Sequence, residues 1–122
     1  MPEVGKKIYN LEERTAVFGE TVIRTLKKIP KTPITTPLIS QCVRSGTSIG
    51  ANYCEADCAE SKKDFEHKIG ISKKEAKETR YWIRMIAEAV PEMKEELKLL
   101  WKEAHELHLI FITIVKNSRL KK

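Results

Sequence analysis

Three groups of side chains in this chain have the types and spacing for chemistry: a few carboxylates and imidazoles, three thiols, and a run of cations. Glu55, Glu75 and Glu78 would suit a dinuclear metal centre between facing helices, which draws two Glu-x-x-His motifs and two further glutamates from the bundle. Neither motif is present. Only Asp64 with His67 has acid-x-x-His spacing, and His105 and His108 share a face without the His-Glu-x-x-His arrangement of a zinc hydrolase. Cys42, Cys54 and Cys58 contain no Cys-x-x-Cys pair, and Cys54 with Cys58 lacks companion ligands. Reduced, buried, small-volume filler is the reading they support. No nucleophile elbow, phosphate-binding glycine loop or dinucleotide fingerprint occurs. The expectation is a protein with no catalytic site, no metal and no cofactor.

The cations are better organised. Lys73, Lys77, Arg80 and Arg84 step by four, three and four, so on a helix they form one basic stripe, with Tyr81 and Trp82 nearby. Such a stripe holds phosphates while an aromatic ring stacks on an unpaired base. RNA or DNA is the partner this implies. The competing reading is a solvated flank in which Lys74 pairs with Glu78 four residues on, worth only tenths of a kcal/mol. Arg24, Lys27, Lys28 and Lys31, with Lys116, Arg119, Lys121 and Lys122, are secondary candidates. Residues 34–60 carry one Lys/Arg against three acids, whereas residues 61–90 carry eight against five.

Helices must position these groups. The 122 residues are 41% hydrophobic and 33% charged, with a formal charge of +6, a balance too polar for a membrane channel and too apolar for a disordered tail. Five Gly, five Pro and 7% aromatics argue against a turn-rich β-sandwich. The spacing predicts helices over about 10–28, 37–59, 62–90 and 91–116, in one domain spanning 1–122. Asn10 with Glu13, and Ser61 with Asp64, read as helix starts. Pro37 and Pro91 suit first-turn positions. Ile69, Ile83, Leu97 and Phe111 belong to apolar seams at alternating three and four spacing. Short connections make an antiparallel up-down-up-down four-helix bundle the simplest all-α arrangement. The start Met1 to Lys7 lacks the apolar run of a signal peptide, which with the odd cysteine count predicts a reduced, cytoplasmic chain and no membrane partner.

The second helix is unusual. Cys42, Gly46, Gly50, Cys54 and Cys58 recur at every fourth residue, a ridge of small side chains that lets another backbone approach. A polar row, Arg44, Ser48, Asn52 and Glu55, runs beside it. Buried polar groups need partners, and Ser72, Glu75 and Glu78 on the third helix supply them. These seven residues are expected to form an interhelical network or a subunit interface.

The stretch Arg44-Ser-Gly-Thr-Ser48-Ile49-Gly-Ala51-Asn52-Tyr-Cys-Glu55, then Lys63-Asp-Phe65, then Ser72 with Glu75 and Glu78 ahead of Trp82, resembles the four-helix bundle family encoded in intervening sequences of bacterial 23S ribosomal RNA genes. The accessory protein of diversity-generating retroelements is similar. The resemblance implies a small cytoplasmic bundle assembling with itself as a ring, commonly a homopentamer. Family members often carry Gly directly after the glutamate that stands here as Glu55. Here Ala56 stands in its place, which favours an unbroken helix.

Overall fold

The computed structural model of the chain describes residues 10–121. The readings that rest on Met1 to Lys7 and on Lys122 lie outside those residues. Four helices follow one another: α1 (Leu11–Leu26), α2 (Thr35–Asp57), α3 (Lys62–Ala89) and α4 (Lys94–Leu120), with one 3₁₀ turn at Pro91–Met93. No strand occurs among the described residues.

Local chemistry accounts for two of the starts. Asn10 Oδ1 accepts from the Glu13 amide at 3.1 Å, and Ser61 Oγ accepts from the Asp64 amide at 3.0 Å. Each satisfies one of the orphan donors of a first turn. The start of α2 falls two residues ahead of the expected position, because Thr32 and Thr35 cap it. The Thr35 amide donates to Thr32 Oγ1 at 3.0 Å, and the Thr32 amide returns a bond to Thr35 Oγ1 at 2.8 Å. Pro37 then sits inside the first turn, where its missing N–H is not needed. α2 is helical through the buried Ala56 but ends at Asp57, two residues short of the expected end at 59. α4 runs four residues beyond the expected end at 116. Ser118 Oγ donates to Glu66 Oε2 at 2.7 Å, and Lys62 Nζ donates to the Lys121 carbonyl, so the start of α3 ties down the last turn of α4.

Each pair of neighbouring helices runs antiparallel, as pairs of contacts show. Ser72 meets Ile49 while Thr79 meets Ser45; Glu66 meets Ser118 while Arg80 meets His105; Arg14 meets Glu103 while Lys28 meets Glu96. On α1 and α2, Thr15 lies against Gly50 and Val22 against Gly46. The seams meet in one core. Ile69, Leu97 and Phe111 are 0% exposed and Ile83 1%, with Ile49, Ile86 and Leu107 beside them. Burying each such side chain contributes about 1.5–3 kcal/mol.

Glycine inside a helix costs about 1 kcal/mol relative to alanine, so the contacts around each one matter. A Cβ on Gly46 would stand 3.1 Å from Val22 Cγ2, and one on Gly50 would stand 2.9 Å from Thr15 Oγ1. The small residues of α2 therefore serve the close approach of α1. The ridge does not stay buried along its length. Cys42 is core filler, as expected, but Cys54 and Cys58 are exposed. A step of four residues turns about 40° further around a helix of 3.6 residues per turn, and at Cys54 the row has reached the open groove edge beside Glu12 and Thr15 of α1. Among the described residues, no helix is long and apolar enough to cross a membrane.

Candidate nucleic-acid interface

α3 contacts α2 along one flank and α4 along the other, and the two flanks differ in charge. Toward α2 stand Glu75 and Glu78. Arg44 Nη1 donates to Glu75 Oε1 at 3.2 Å, Nη2 donates to Glu78, and Nε donates to Gln41 Oε1 at 3.1 Å. Trp82 Nε1 adds a bond to Glu78 Oε2 at 2.9 Å. Deeper in, Ser72 Oγ donates to the Ile49 carbonyl at 2.9 Å, and the Thr79 hydroxyl reaches Ser45 Oγ at 3.0 Å and the Glu75 carbonyl at 2.7 Å. No buried side-chain nitrogen or oxygen among the described residues lacks a partner.

Of the seven residues expected to form the polar network, Arg44, Glu75 and Glu78 come together, and Ser72 crosses to α2 by itself. Ser48 and Asn52 stand apart: Ser48 Oγ donates to the Arg44 carbonyl at 2.7 Å and Asn52 Nδ2 to the Ser48 carbonyl at 2.9 Å, both within α2. Glu55 is exposed and crosses to α3 in a separate pair, with Lys68 at 2.5 Å. The buried link between side chains of the two helices is Ser45 with Thr79. Ser45 follows Cys42 by three and precedes Ile49 by four, a core rhythm visible in the sequence but hidden by counting in fours.

Toward α4 the charge is positive. Lys73, Lys77, Arg80 and Arg84 follow one another along this flank, and none joins an ion pair among the described residues. The pairing of Lys74 with Glu78 does not form, because Glu78 turns to Arg44 and Trp82. Arg80 lies over Trp101, its guanidinium carbon 5.6 Å from the ring centroid, and its Nη1 donates to His105 Nδ1 at 2.6 Å. Since arginine has only donors, His105 Nδ1 is the acceptor there and carries no proton. His105 stacks on Trp101 at 5.1 Å with an interplanar angle of 14°. Further along α4, burial holds the His108 imidazole below its ordinary 6.5, and Arg80, Lys77, His105 and Lys73 push it the same way.

An open groove of about 490 Å³ follows from this arrangement, lined by Lys74, Lys77, Glu78, Arg80, Tyr81, Arg84 and Trp101. Tyr81 is 53% exposed at its edge and meets Trp82 edge to face at 5.1 Å. The groove thus offers cations in series with two aromatic rings at their side. Trp101 and His105 were not part of the sequence-derived stripe. Their signal was the spacing of four and three in Trp101, His105 and His108, which places all three on one face of α4. Of the secondary cations, Lys28 pairs with Glu96 at 2.7 Å. Among the described residues no three His, Cys, Asp or Glu side chains converge as a metal ion would require.

The sequence matches the family model described as 23S rRNA-intervening sequence protein over residues 9–113. A crystal structure from Bacteroides thetaiotaomicron, described as a protein with unknown function from the S23 ribosomal protein family, is similar in fold. It is 29% identical with a TM-score of 0.77, covering 87% of this chain and 98% of that one. No curated protein matches.

Proposed function

The chain belongs to the 23S rRNA-intervening sequence protein family, and from that premise we propose that it is a self-associating, non-catalytic accessory protein of the cytoplasm that binds RNA along the α3–α4 groove. The observation that carries this reading is the groove itself: Lys77, Arg80 and Arg84 line it in series with Tyr81 and Trp101. Lys73 extends the row by one turn. Phosphates meet the cations, and the exposed Tyr81 ring gives an unpaired base a stacking surface. The family's setting within ribosomal RNA genes, given by its description, favours RNA over DNA. Self-association, as a pentameric ring by resemblance, would repeat the groove and raise apparent affinity through avidity.

Titration of a labelled oligouridylate tests the reading. Four phosphates neutralised on a single strand give a slope of about −2.8 in log K against log salt, so affinity falls about fiftyfold between roughly 50 and 200 mM salt. Lys77→Glu with Arg84→Glu abolishes most of the binding. Native mass determination reports the number of subunits. The competing reading, a scaffold for protein contacts alone, draws on the α1–α4 groove of about 300 Å³, where Leu99 is 68% and Val17 45% exposed. Absence of oligouridylate binding at low salt would decide for the scaffold.

A further inference from the structure

Three residues ahead of Lys73, the basic stripe begins with a residue that has no side chain. Gly70, Lys73, Lys77, Arg80 and Arg84 step by three, four, three and four along α3, so they share one flank. Gly70 lies well inside a 28-residue helix, where glycine lowers stability. Two of the other helical glycines among the described residues have a steric reason within the chain: Gly46 and Gly50 admit Val22 and Thr15, whereas a Cβ on Gly19 would make an ordinary contact with Thr47 Cγ2 at 3.6 Å. A Cβ on Gly70 would meet nothing within 4 Å. Packing inside the chain therefore does not account for it.

What surrounds Gly70 is cationic. Lys73, Lys74 and Lys77 follow it, Lys63 and His67 precede it, and the nearby Glu66 carboxylate already accepts from Ser118 and lies 4.0 Å from Lys62. An approach this close between charges of this sign suits a polyanion. A second copy placed flank to flank would set like charges against each other, and a ring contact, which pairs different faces, is distinguished by native mass below. We propose that Gly70 is where a phosphodiester backbone rests directly on the α3 backbone, flanked by Lys73 and Lys77. The strand would then follow α3 from Arg84 to Gly70, about 21 Å at 1.5 Å per residue. This inference rests on the RNA-binding reading above.

Gly70→Ala and Gly70→Leu test it, since a Cβ at this position enters open space, and circular dichroism of both variants checks that the fold is kept. Gly70→Ala raises the Tm of the free protein by roughly 3–5 °C. Both variants bind oligouridylate more weakly than the wild type, leucine more so than alanine. The salt slope becomes shallower by about 0.7 for each phosphate that no longer meets a cation. Stability and affinity thus move in opposite directions. A folded Gly70→Leu protein that binds as the wild type does, while Lys77→Glu with Arg84→Glu does not bind, overturns the close approach and leaves the groove reading intact. A wild type that fails to bind overturns both. A fall in native mass in Gly70→Leu would show the occupant to be another subunit and overturn the proposal as well.

Discussion

Replacing Arg44 by methionine removes the cation that holds Glu75 and Glu78 while keeping most of the side chain's length. Glu75 is the sensitive partner: its side chain is 11% exposed, against 32% for Glu78 and 46% for Arg44. A carboxylate stripped of its partner in a fully enclosed site costs about 3–5 kcal/mol, and an exposed ion pair is worth about 0–1 kcal/mol. Half of the Arg44 side chain is in solvent, which screens the interaction, so the cost lies between these limits at about 1–2 kcal/mol. With about 2.1 cal/mol/K of unfolding entropy per residue, a chain of this length loses about 4 °C per kcal/mol, hence about 4–8 °C in Tm. Glu75→Gln in the Arg44→Met background restores part of the loss, because the neutral amide no longer needs the cation. The cycle gives a coupling of about 1 kcal/mol. Thermal unfolding followed by circular dichroism at neutral pH measures all four proteins. An Arg44→Met protein melting within about a degree of wild type, or strictly additive single effects, would refute the claim that this triad joins α2 to α3.

Two further outcomes follow from groups displaced from their ordinary titration. His108 is held below 6.5 by burial and by Arg80, Lys77, His105 and Lys73, so as pH falls through 6.5 the unfolded chain takes up its proton before the folded one does. The free protein consequently loses stability between pH 6.5 and the lower folded value, and this contribution is constant above that window. Bound phosphates favour the imidazolium, so oligouridylate affinity rises as pH drops from about 8 to 6; His108→Gln flattens both curves, and equal pH dependence in the two proteins contradicts the assignment. Burial also pushes the Cys42 thiol up to about 12, whereas Cys54 and Cys58 are exposed. A disulfide reagent titrates two thiols in the native protein and the third only on unfolding; three fast thiols would mean that Cys42 is not in the core.

What could be seen in the sequence was what lies within one turn. The bonds from Asn10 and Ser61 span three residues, and the core seams repeat within each helix, so both were readable one segment at a time. The basic stripe was readable for the same reason, because Lys73 to Arg84 occupy one flank of a single helix. Its partners were not. Trp101 and His105 reach Arg80 only through the register of α3 against α4, which no pattern within either helix specifies. The polar row was misread by periodicity: its steps of four, four and three leave Ser48 and Asn52 bonded within α2, and Glu55 reaches α3 only through an exposed pair with Lys68, while Ser45, Ser72 and Thr79 sit in the seams themselves. The last turn of α4 stayed hidden because Glu66 and Lys62, about fifty to sixty residues away, hold it in place.

The two flanks of α3 explain why a surface rich in cations need not weaken this bundle. Clustered charge destabilises a helix when like charges stand three or four residues apart, and α3 contains such clusters of both signs. The acidic one, Glu75 with Glu78, is neutralised inside the chain by Arg44, the single cation among residues 34–60. The basic one faces an α4 surface whose nearest titratable groups are His105, accepting from Arg80 without a proton on Nδ1, and His108, kept short of protonation. Imidazoles do not cancel the cations as carboxylates would. Arg80 is steadied by the face of Trp101 and by Nδ1 of His105, so its charge is held in place without being spent on a carboxylate. A carboxylate at position 105 would have made a stronger internal pair and removed that cation from the groove. His105→Glu accordingly raises Tm while weakening oligouridylate binding; if it weakens neither binding nor the salt slope, the Arg80 charge is not used by the ligand.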